Sequence, residues 1–272
     1  YRRQRQMCIR DRNINAELNA DSTSSLKAGF SDIVLRDLAT RKLGNLNIGF
    51  ASFSDRTRLD VDAGDLGLKF QGVGGGYALV DRFSAASALL TEQIGMHEFN
   101  MEKLNELFPD FQLSIEAGQE NLLNAYLKSN GIRFKRLDIG MGSGNTDHFE
   151  LKSMIYGLDI EGIIIDSLSI NATQKGVALR YGMDVWGAKD QLEGLAQLTV
   201  EGSVEYDQVN VRVREHETQE GEIFNIGANI AIQDSSFRVS ISPDPLILGY
   251  KSWQVNRGNF VLLKPVSYTH LR

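Results

Sequence analysis

The 272-residue sequence has one cysteine, four prolines and no long run of apolar residues. A lone cysteine cannot form a disulfide framework within the chain, and it cannot supply a zinc site made of several thiolates. All apolar runs are shorter than the roughly 18–20 residues that a membrane-spanning helix requires. The 29 basic residues are outnumbered by 35 acidic ones, and the net charge of −6 argues against a general nucleic-acid binder, which needs a basic surface.

Both ends of the sequence read as non-native. Residues 1–12 (YRRQRQMCIRDR) hold five arginines and the only cysteine, and residues 265–272 read PVSYTHLR. Both strings resemble translated adapter sequence, so we exclude them from fold reasoning as one excludes a fusion scar. We expect both natural termini, and any signal peptide or membrane anchor, to be missing. The remaining body has no cysteine, which suits an oxidising compartment as well as the cytosol.

Most of the body alternates polar and apolar residues, the pattern of a strand with one buried face. In the segment 177–185 every odd-numbered position is apolar. Such segments recur about every ten residues, separated by turn residues such as those at 233–235 and 256–259. Residues 155–263 show no helical pattern between strands, which excludes a parallel doubly wound sheet there and predicts an antiparallel meander.

One helical insertion, at about 77–130, interrupts the predicted sheet. An apolar stripe at three-to-four spacing predicts its first helix, and the stripe comprises Leu79, Phe83, Ala86, Leu90 and Ile94. Asn100 is expected to cap a second helix, and Gly131 to follow the end of a third. The glycine-rich residues 140–148 predict a loop. The chain therefore divides into groove strands at 13–76, a helical insertion with a strand and a loop at 77–148, and further groove strands at 149–264.

Two segments carry weak signals for chemistry, and each has a structural interpretation. Residues 72–76 (GVGGG) lie where a dinucleotide-binding loop would lie, but Tyr77 occupies the place of the third glycine, so we interpret them as an exit from the sheet. Asp60, Asp62 and Asp65 resemble a calcium loop without its final glutamate. We interpret these carboxylates as a solvated strand face and a turn.

The remaining polar residues do not form an active-site pattern. Four isolated histidines give no metal-ligand pair, and they are His97, His148, His216 and His270. Ser143 lacks the flanking residues of a nucleophile elbow. The sequence predicts no catalytic residue, no metal ligand and no cofactor, and hence a protein that is not an enzyme. Trp186 and Trp253 are interpreted as closing the end of an apolar core, with sugar binding or a membrane interface as alternatives.

The apolar face itself is the remaining candidate site. The predicted fold is mainly β, a curled antiparallel sheet that forms an open apolar groove; the simpler alternative is an ordinary sandwich core. A groove would shield lipid, because each CH₂ exposed to water costs about 0.8 kcal/mol and a lipid has on the order of thirty. The candidate lining residues are Val177, Leu179, Tyr181, Met183, Ile226, Ile230, Ile232, Phe237, Val239, Ile241, Leu246 and Leu248.

Residues 57–263 resemble the C-terminal part of the TamB-type translocation and assembly module proteins, in the form found in Bacteroidetes. The resemblance is carried by LDVDAGDLGLKFQGVGG (59–75), by residues 102–134 and most specifically by residues 221–263, with SPDPLILGY followed by W-x-V-N-x-G-N-F. It implies a taco-like β-groove related to the AsmA-like bridge lipid transfer proteins. It also implies a periplasmic location, a parent protein anchored in the inner membrane, and an outer-membrane β-barrel partner.

The leading hypothesis is a fragment of a periplasm-spanning conduit whose guests are phospholipid acyl chains, with a role in outer-membrane biogenesis. The alternative is a secreted structural or adhesive module, a β-solenoid or sandwich that binds protein or glycan. That alternative predicts a closed core and function carried by loops at 140–148 and 214–221. A piece cut from a long groove has unpaired strand edges, so the conduit hypothesis also predicts poor solubility of this chain alone.

Overall fold

The computed structural model describes residues 13–20, 24–31, 34–36, 40–42, 45–96, 99–144, 148–187, 197–217, 221–233, 236–243 and 245–264. Within these ranges the fold is mainly β with three helices, which confirms the predicted class. The two segments that we interpreted as adapter-derived lie outside the described residues.

The elements follow in chain order. The strands before the insertion are β1 (Asn13–Ala20), β2 (Ser24–Ser31), β3 (Val34–Arg36), β4 (Thr40–Lys42), β5 (Leu46–Ser52), β6 (Arg56–Ala63) and β7 (Leu66–Val73). The insertion holds α1 (Gly76–Met96), α2 (Met101–Leu107), β8 (Phe111–Ala117), α3 (Leu122–Ser129) and β9 (Ile132–Arg133). The strands after it are β10 (Arg136–Gly144), β11 (His148–Ile160), β12 (Ile163–Lys175), β13 (Ala178–Gly187), β14 (Gln197–Glu205), β15 (Gln208–Glu217), β16 (Gly221–Gln233), β17 (Ser236–Ile241), β18 (Leu246–Leu248), β19 (Lys251–Trp253) and β20 (Val261–Leu263).

Apart from the short β3–β4 hairpin, the described strands form one antiparallel sheet in which most neighbouring strands are consecutive in the chain. Each strand from β5 to β8 pairs with the next, β8 pairs with β10, and the meander then runs without interruption from β10 to β17. β7 and β8 are therefore neighbours although α1 and α2 separate them in sequence. The sheet is not closed into a barrel.

The pairing register aligns apolar residues across the whole sheet. Directly opposed residues in an antiparallel pair lie on the same face. One line of opposed residues crosses eleven strands and is apolar at every position except Ser153. It runs through Ile48, Val61, Leu68, Ile115, Ile139, Ser153, Ile170, Met183, Val200, Val213 and Ile226. We call the side of the sheet that carries this line the apolar face, and the other side the polar face.

All three helices lie on the apolar face. Phe83 of α1 packs edge-on against Phe111 of β8, with ring centroids 5.1 Å apart, and lies 6.3 Å from the ring of Phe70. At the opposite ends of the strands, Leu123 and Leu127 of α3 pack on the small core that Ala117, Phe134 and Leu137 form. The face is therefore covered by helices over β7 to β11.

The α1–α2 hairpin extends further, along the strand ends at which β14 turns into β15. Just after α1, the backbone N–H of Phe99 donates to the carbonyl of Tyr206 in that turn, at 3.0 Å. The length of α1, about 31 Å for 21 residues, matches about six strand spacings of 4.8 Å from β7 to β14. Arg82 ties the helices together, because its guanidinium donates to the carbonyls of Glu106, Leu107 and Phe108. The hairpin thus crosses one end of the apolar face.

The helix predictions are confirmed at their ends and wrong in one detail. The side chain of Asn100 accepts from the N–H of Lys103 and caps α2, and Gly131 follows α3 with φ of +80°. Ile94, however, is exposed, and Gln93 is buried in its place. The reason is that the Gln93 amide both donates to and accepts from the backbone of Asn100, so a polar side chain is buried with its hydrogen bonds satisfied.

The predicted loop at 140–148 is wrong. β10 continues to Gly144 and β11 begins at His148, so only residues 145–147 connect them, and those lie outside the described part. Met141 and Ser143 alternate with glycines and keep the strand pattern on the apolar face, opposite Leu151 and Phe149. The predicted loop at 214–221 is likewise mostly strand, since β15 extends to Glu217 and β16 begins at Gly221.

Candidate functional site

The candidate lining residues come together on the apolar face. The register places eleven of the twelve there, on β13, β16, β17 and β18. The twelfth, Val177, lies in the turn between β12 and β13. This arrangement brings side chains from four strands into one surface, whereas residues 177–185 alone form only a stripe.

The lining residues are accessible to different degrees. Most of them are half-buried, and Leu246 is buried. Ile241 and Leu248 are 40% and 41% exposed. These values contrast with Phe111, which lies on the same face beneath α1 and is only 4% exposed. The part of the apolar face formed by β16 to β18 is therefore partly accessible, while the part under the helices is filled.

Tyr181 is the one polar side chain among the lining candidates. Its hydroxyl crosses β14 and donates to the backbone carbonyl of Asn210 in β15, at 3.1 Å. Gly202 lies directly opposite Tyr181, and a Cβ there would stand 2.8 Å from Cζ of the ring. Burial raises the pKa of the Tyr181 phenol above its usual value of 10.0, so the hydroxyl stays neutral at physiological pH.

Gln174 is an unusual polar group at the covered end of the apolar face. It lies opposite Leu179 at the end of β12, and its side chain is 2% exposed. Its amide donates to the carbonyl of Gly176, while its Oε1 has no hydrogen-bond partner among the described residues. The α1–α2 hairpin runs from β7 to the turn at Tyr206, so it crosses the end of β12 between these points. Gln174 therefore lies beneath the hairpin.

A depression on the described surface lies on the polar face. It encloses about 540 Å³ above the glycines of β10, and its polar lining includes Lys69, Gln71, Gln112, Ser114, Glu150 and Lys152. Glu150 and Lys152 form an exposed ion pair at 2.5 Å. The lining contains no histidine or cysteine and no hydroxyl bonded to a base, so it does not provide a nucleophile–base pair.

Residues 72–76 serve packing in the structure. A Cβ on Gly72 would lie 2.7 Å from Cδ1 of Leu79, so the glycine allows α1 to approach the sheet. The first amide of α1, on Gly76, donates to the hydroxyl of Ser52 at 2.8 Å. One of the amides that a phosphate would need at this helix N-terminus is therefore already bonded to a side chain from β5.

The aspartates of the calcium-like segment also have a structural role. Asp65, in the turn after β6, accepts hydrogen bonds from the N–H of Glu120 and from the amide of Asn121, which caps α3. Burial by itself raises the pKa of Asp65, but these hydrogen bonds lower it by more, so the pKa lies below 3.8. Asp60 and Asp62 lie on the polar face of β6, as predicted.

The other chemical candidates are separate from one another. The hydroxyl of Ser143 donates to the carbonyl of Pro109, His216 is exposed, and His97 and His270 lie outside the described residues. His148 begins β11. Within the described ranges no three acidic, histidine or cysteine side chains come together as a metal site. None of the helices described here is both long and apolar enough to cross a membrane.

The two tryptophans differ from their predicted role. Trp253 is 55% exposed, with its indole N–H donating to the carbonyl of Leu248, so it does not close a core. Trp186 is half-buried and lies opposite Ser167 on the polar face. The prediction failed because proximity to a strand end does not determine whether another layer covers that end.

The comparison with known proteins identified no relative of this chain. The chain matches no family model, no curated protein and no solved structure.

Proposed function

We propose that this chain is part of a non-enzymatic lipid conduit of the cell envelope, which moves phospholipid towards the outer membrane or assists outer-membrane protein assembly. The observation that carries the proposal is the line of opposed residues across eleven strands, which is apolar at every position except Ser153. A guest that contacts many successive strands needs a continuous apolar surface and no reactive group. Acyl chains are such guests, because shielding each CH₂ from water is worth about 0.8 kcal/mol.

The accessible part of the apolar face supports this proposal. The residues of β16 and β17 on the apolar face are half-buried or exposed, so they retain surface that a hydrocarbon chain could cover. The α1–α2 hairpin lies at one end of the strands, and acyl chains would lie on the sheet beyond it. A curled groove, a periplasmic location, an inner-membrane anchor in the parent protein and an outer-membrane β-barrel partner belong to the same proposal and follow from the TamB-type resemblance.

A structural or adhesive module is the second candidate, and one observation favours it. Under the helices the apolar face is filled like an ordinary core, with Leu104 of α2 only 2% exposed and Phe111 only 4% exposed. If the whole face were covered in this way in the intact protein, no lipid could bind. Both candidates are non-enzymatic, so lipid binding distinguishes them.

Native mass spectrometry of gently purified protein tests the proposal, with two matched variants. Ile230→Asp and Asn229→Asp change adjacent residues of β16 on opposite faces, and both introduce one carboxylate. Co-purified phospholipid is expected on the wild-type chain and on Asn229→Asp, and most of it should be lost from Ile230→Asp. Circular dichroism verifies that both variants fold. Wild-type protein without phospholipid, or equal lipid on the two variants, would refute the conduit.

A further inference from the structure

The C-terminal part of the sheet exposes an unusual number of large apolar side chains. Six of them lie within fourteen residues and are 44–61% exposed: Tyr250, Trp253, Phe260, Val261, Leu262 and Leu263. A cluster of exposed apolar side chains of this kind is uncommon on the surface of a soluble protein and marks a site of interaction. We call residues 250–264 the C-terminal patch.

The patch is cationic although the chain is acidic overall. Between residues 245 and 264 there is no aspartate or glutamate, while the protein as a whole has a net charge of −6. The patch carries Lys251, Arg257 and Lys264, all exposed, and none of the three takes part in an ion pair within the described part of the chain. Arg238 of the neighbouring strand lies over the ring of Phe260, 4.3 Å from its centroid. The charge of this surface therefore complements an anionic partner.

The shape of the patch favours a bilayer over a protein partner. β20 pairs only with β17 among the described strands, with Val261 opposite Val239 on the apolar face and Leu262 opposite Arg238 on the polar face. Both faces of this edge strand are apolar and exposed. A protein that packs on one face leaves the other in water, whereas a lipid surface surrounds an edge from both sides.

The residue types fit the boundary between lipid headgroups and acyl chains. Tryptophan and tyrosine concentrate at that depth, because their rings are apolar and their N–H or O–H groups remain near water. Lysine and arginine extend their charges to headgroup phosphates while their methylene stems lie in the apolar region. A shallow position also keeps the unpaired backbone groups of the β20 edge within reach of water, which the hydrocarbon interior would not allow.

We propose that the C-terminal patch docks on the surface of an anionic lipid bilayer. This inference goes beyond the proposed conduit, because it concerns an intact bilayer and the edge of the sheet, not a single lipid on the apolar face. It is independent of the lipid content of the purified protein. A chain without co-purified phospholipid could still bind vesicles, and a lipid-loaded chain could fail to do so.

The test uses Trp253 as the reporter, in a chain with Trp186→Phe so that one tryptophan remains. Phosphatidylcholine vesicles are compared with vesicles of phosphatidylcholine and phosphatidylglycerol. On the anionic vesicles we expect a blue shift of the Trp253 emission, quenching by brominated acyl chains and weaker binding at high salt. Lys251→Gln with Arg257→Gln should weaken binding about 25-fold, because each cation near an anionic surface contributes about fivefold.

A matched control distinguishes binding by the C-terminal patch from nonspecific adsorption to vesicles. Tyr77→Ala removes an aromatic side chain that is 92% exposed on α1, and it should leave vesicle binding unchanged, while Phe260→Ala should weaken it. Sedimentation velocity without lipid reports self-association. The proposal is overturned if Trp253 shows no blue shift with anionic vesicles, if the double glutamine variant binds as well as its parent, or if the patch is occupied by a second copy in a dimer that Phe260→Ala dissociates.

Discussion

Ile230 in β16 lies directly opposite Val239 in β17, and the same line of the register continues to Val209 in β15. All three side chains are half-buried on the apolar face. Phe111 lies on that face as well, but α1 covers it. One side of one sheet thus includes a filled core and an accessible apolar surface, and the two parts should respond differently to substitution.

Truncation distinguishes the two parts of the apolar face. Phe111→Ala should lower the free energy of unfolding by about 3–5 kcal/mol, because it leaves a cavity beneath α1. Val239→Ala should lower it by only about 1 kcal/mol, because the valine is already partly exposed to water. Urea unfolding followed by circular dichroism measures both values. Equal losses would show that β17 is covered as tightly as β8 and would contradict an accessible face.

The contact between Gly72 and Leu79 predicts a compensating pair of substitutions. Gly72→Ala places a methyl group 2.7 Å from Cδ1 of Leu79, so it should destabilise the protein by about 1–3 kcal/mol. Leu79→Ala alone leaves a cavity and should also destabilise. In the double variant the new methyl occupies part of that cavity. The decrease in the free energy of unfolding should therefore be smaller than the sum of the decreases in the two single variants. A double-mutant cycle in urea gives the coupling, and strict additivity would contradict the packing described here.

The hydrogen bonds to Asp65 predict a pH-dependent contribution to stability. Because the pKa of Asp65 in the folded protein lies below 3.8, its charge stabilises the fold at neutral pH, and this contribution is lost as the pH falls through the folded pKa. Asp65→Asn should therefore destabilise by about 1 kcal/mol at pH 7, as for a lost helix cap, and have little effect in strong acid. Asp62→Asn, on the exposed face of β6, serves as the control. If Asp65→Asn lowers the free energy of unfolding by the same amount in strong acid as at pH 7, the stabilising role of the Asp65 charge is contradicted.

The position of the α1–α2 hairpin can be tested by cross-linking. Phe99 and Tyr206 are partners in an antiparallel bridge, whose Cα atoms lie about 4.5–5.5 Å apart, within the range that a disulfide spans. In a chain with Cys8→Ser, the pair Phe99→Cys and Tyr206→Cys should oxidise readily, as seen by electrophoresis and mass. The control pair Phe99→Cys and Ser203→Cys should remain reduced, because Ser203 lies on the polar face. Equal oxidation of both pairs would contradict a fixed hairpin.

The faces of the sheet could be predicted from the sequence because side chains alternate with a period of two. In β12 the apolar positions change from Ile163 and Ile165 to Leu168 and Ile170, but no irregularity was predicted there. The structure has a register shift between Ile165 and Ser167 at this point. The strand in β10 was missed because glycine contributes no apolar signal, although Met141 and Ser143 keep the alternation.

The features that depend on contacts distant in sequence could not be predicted. Nothing in the local pattern shows that Gly72 lies beneath Leu79, or that Asp65 holds the start of α3 some 55 residues later. The burial of Gln93 was missed because a helical stripe is read from apolar residues alone. The exposure of Trp253 was missed because exposure depends on whether another layer covers the strand.

Lipid photo-crosslinking along β16 shows whether phospholipid binds to the apolar face. A photoreactive amino acid is placed at residues 226, 229, 230, 231 and 232 in turn. Each variant of the intact protein is then mixed with phospholipid and irradiated. We expect lipid adducts at Ile226, Ile230 and Ile232, on the apolar face, and few at Asn229 and Ala231, on the polar face. Adducts without this alternation, or none at the three isoleucines, would contradict the assignment of the apolar face as a lipid-binding surface.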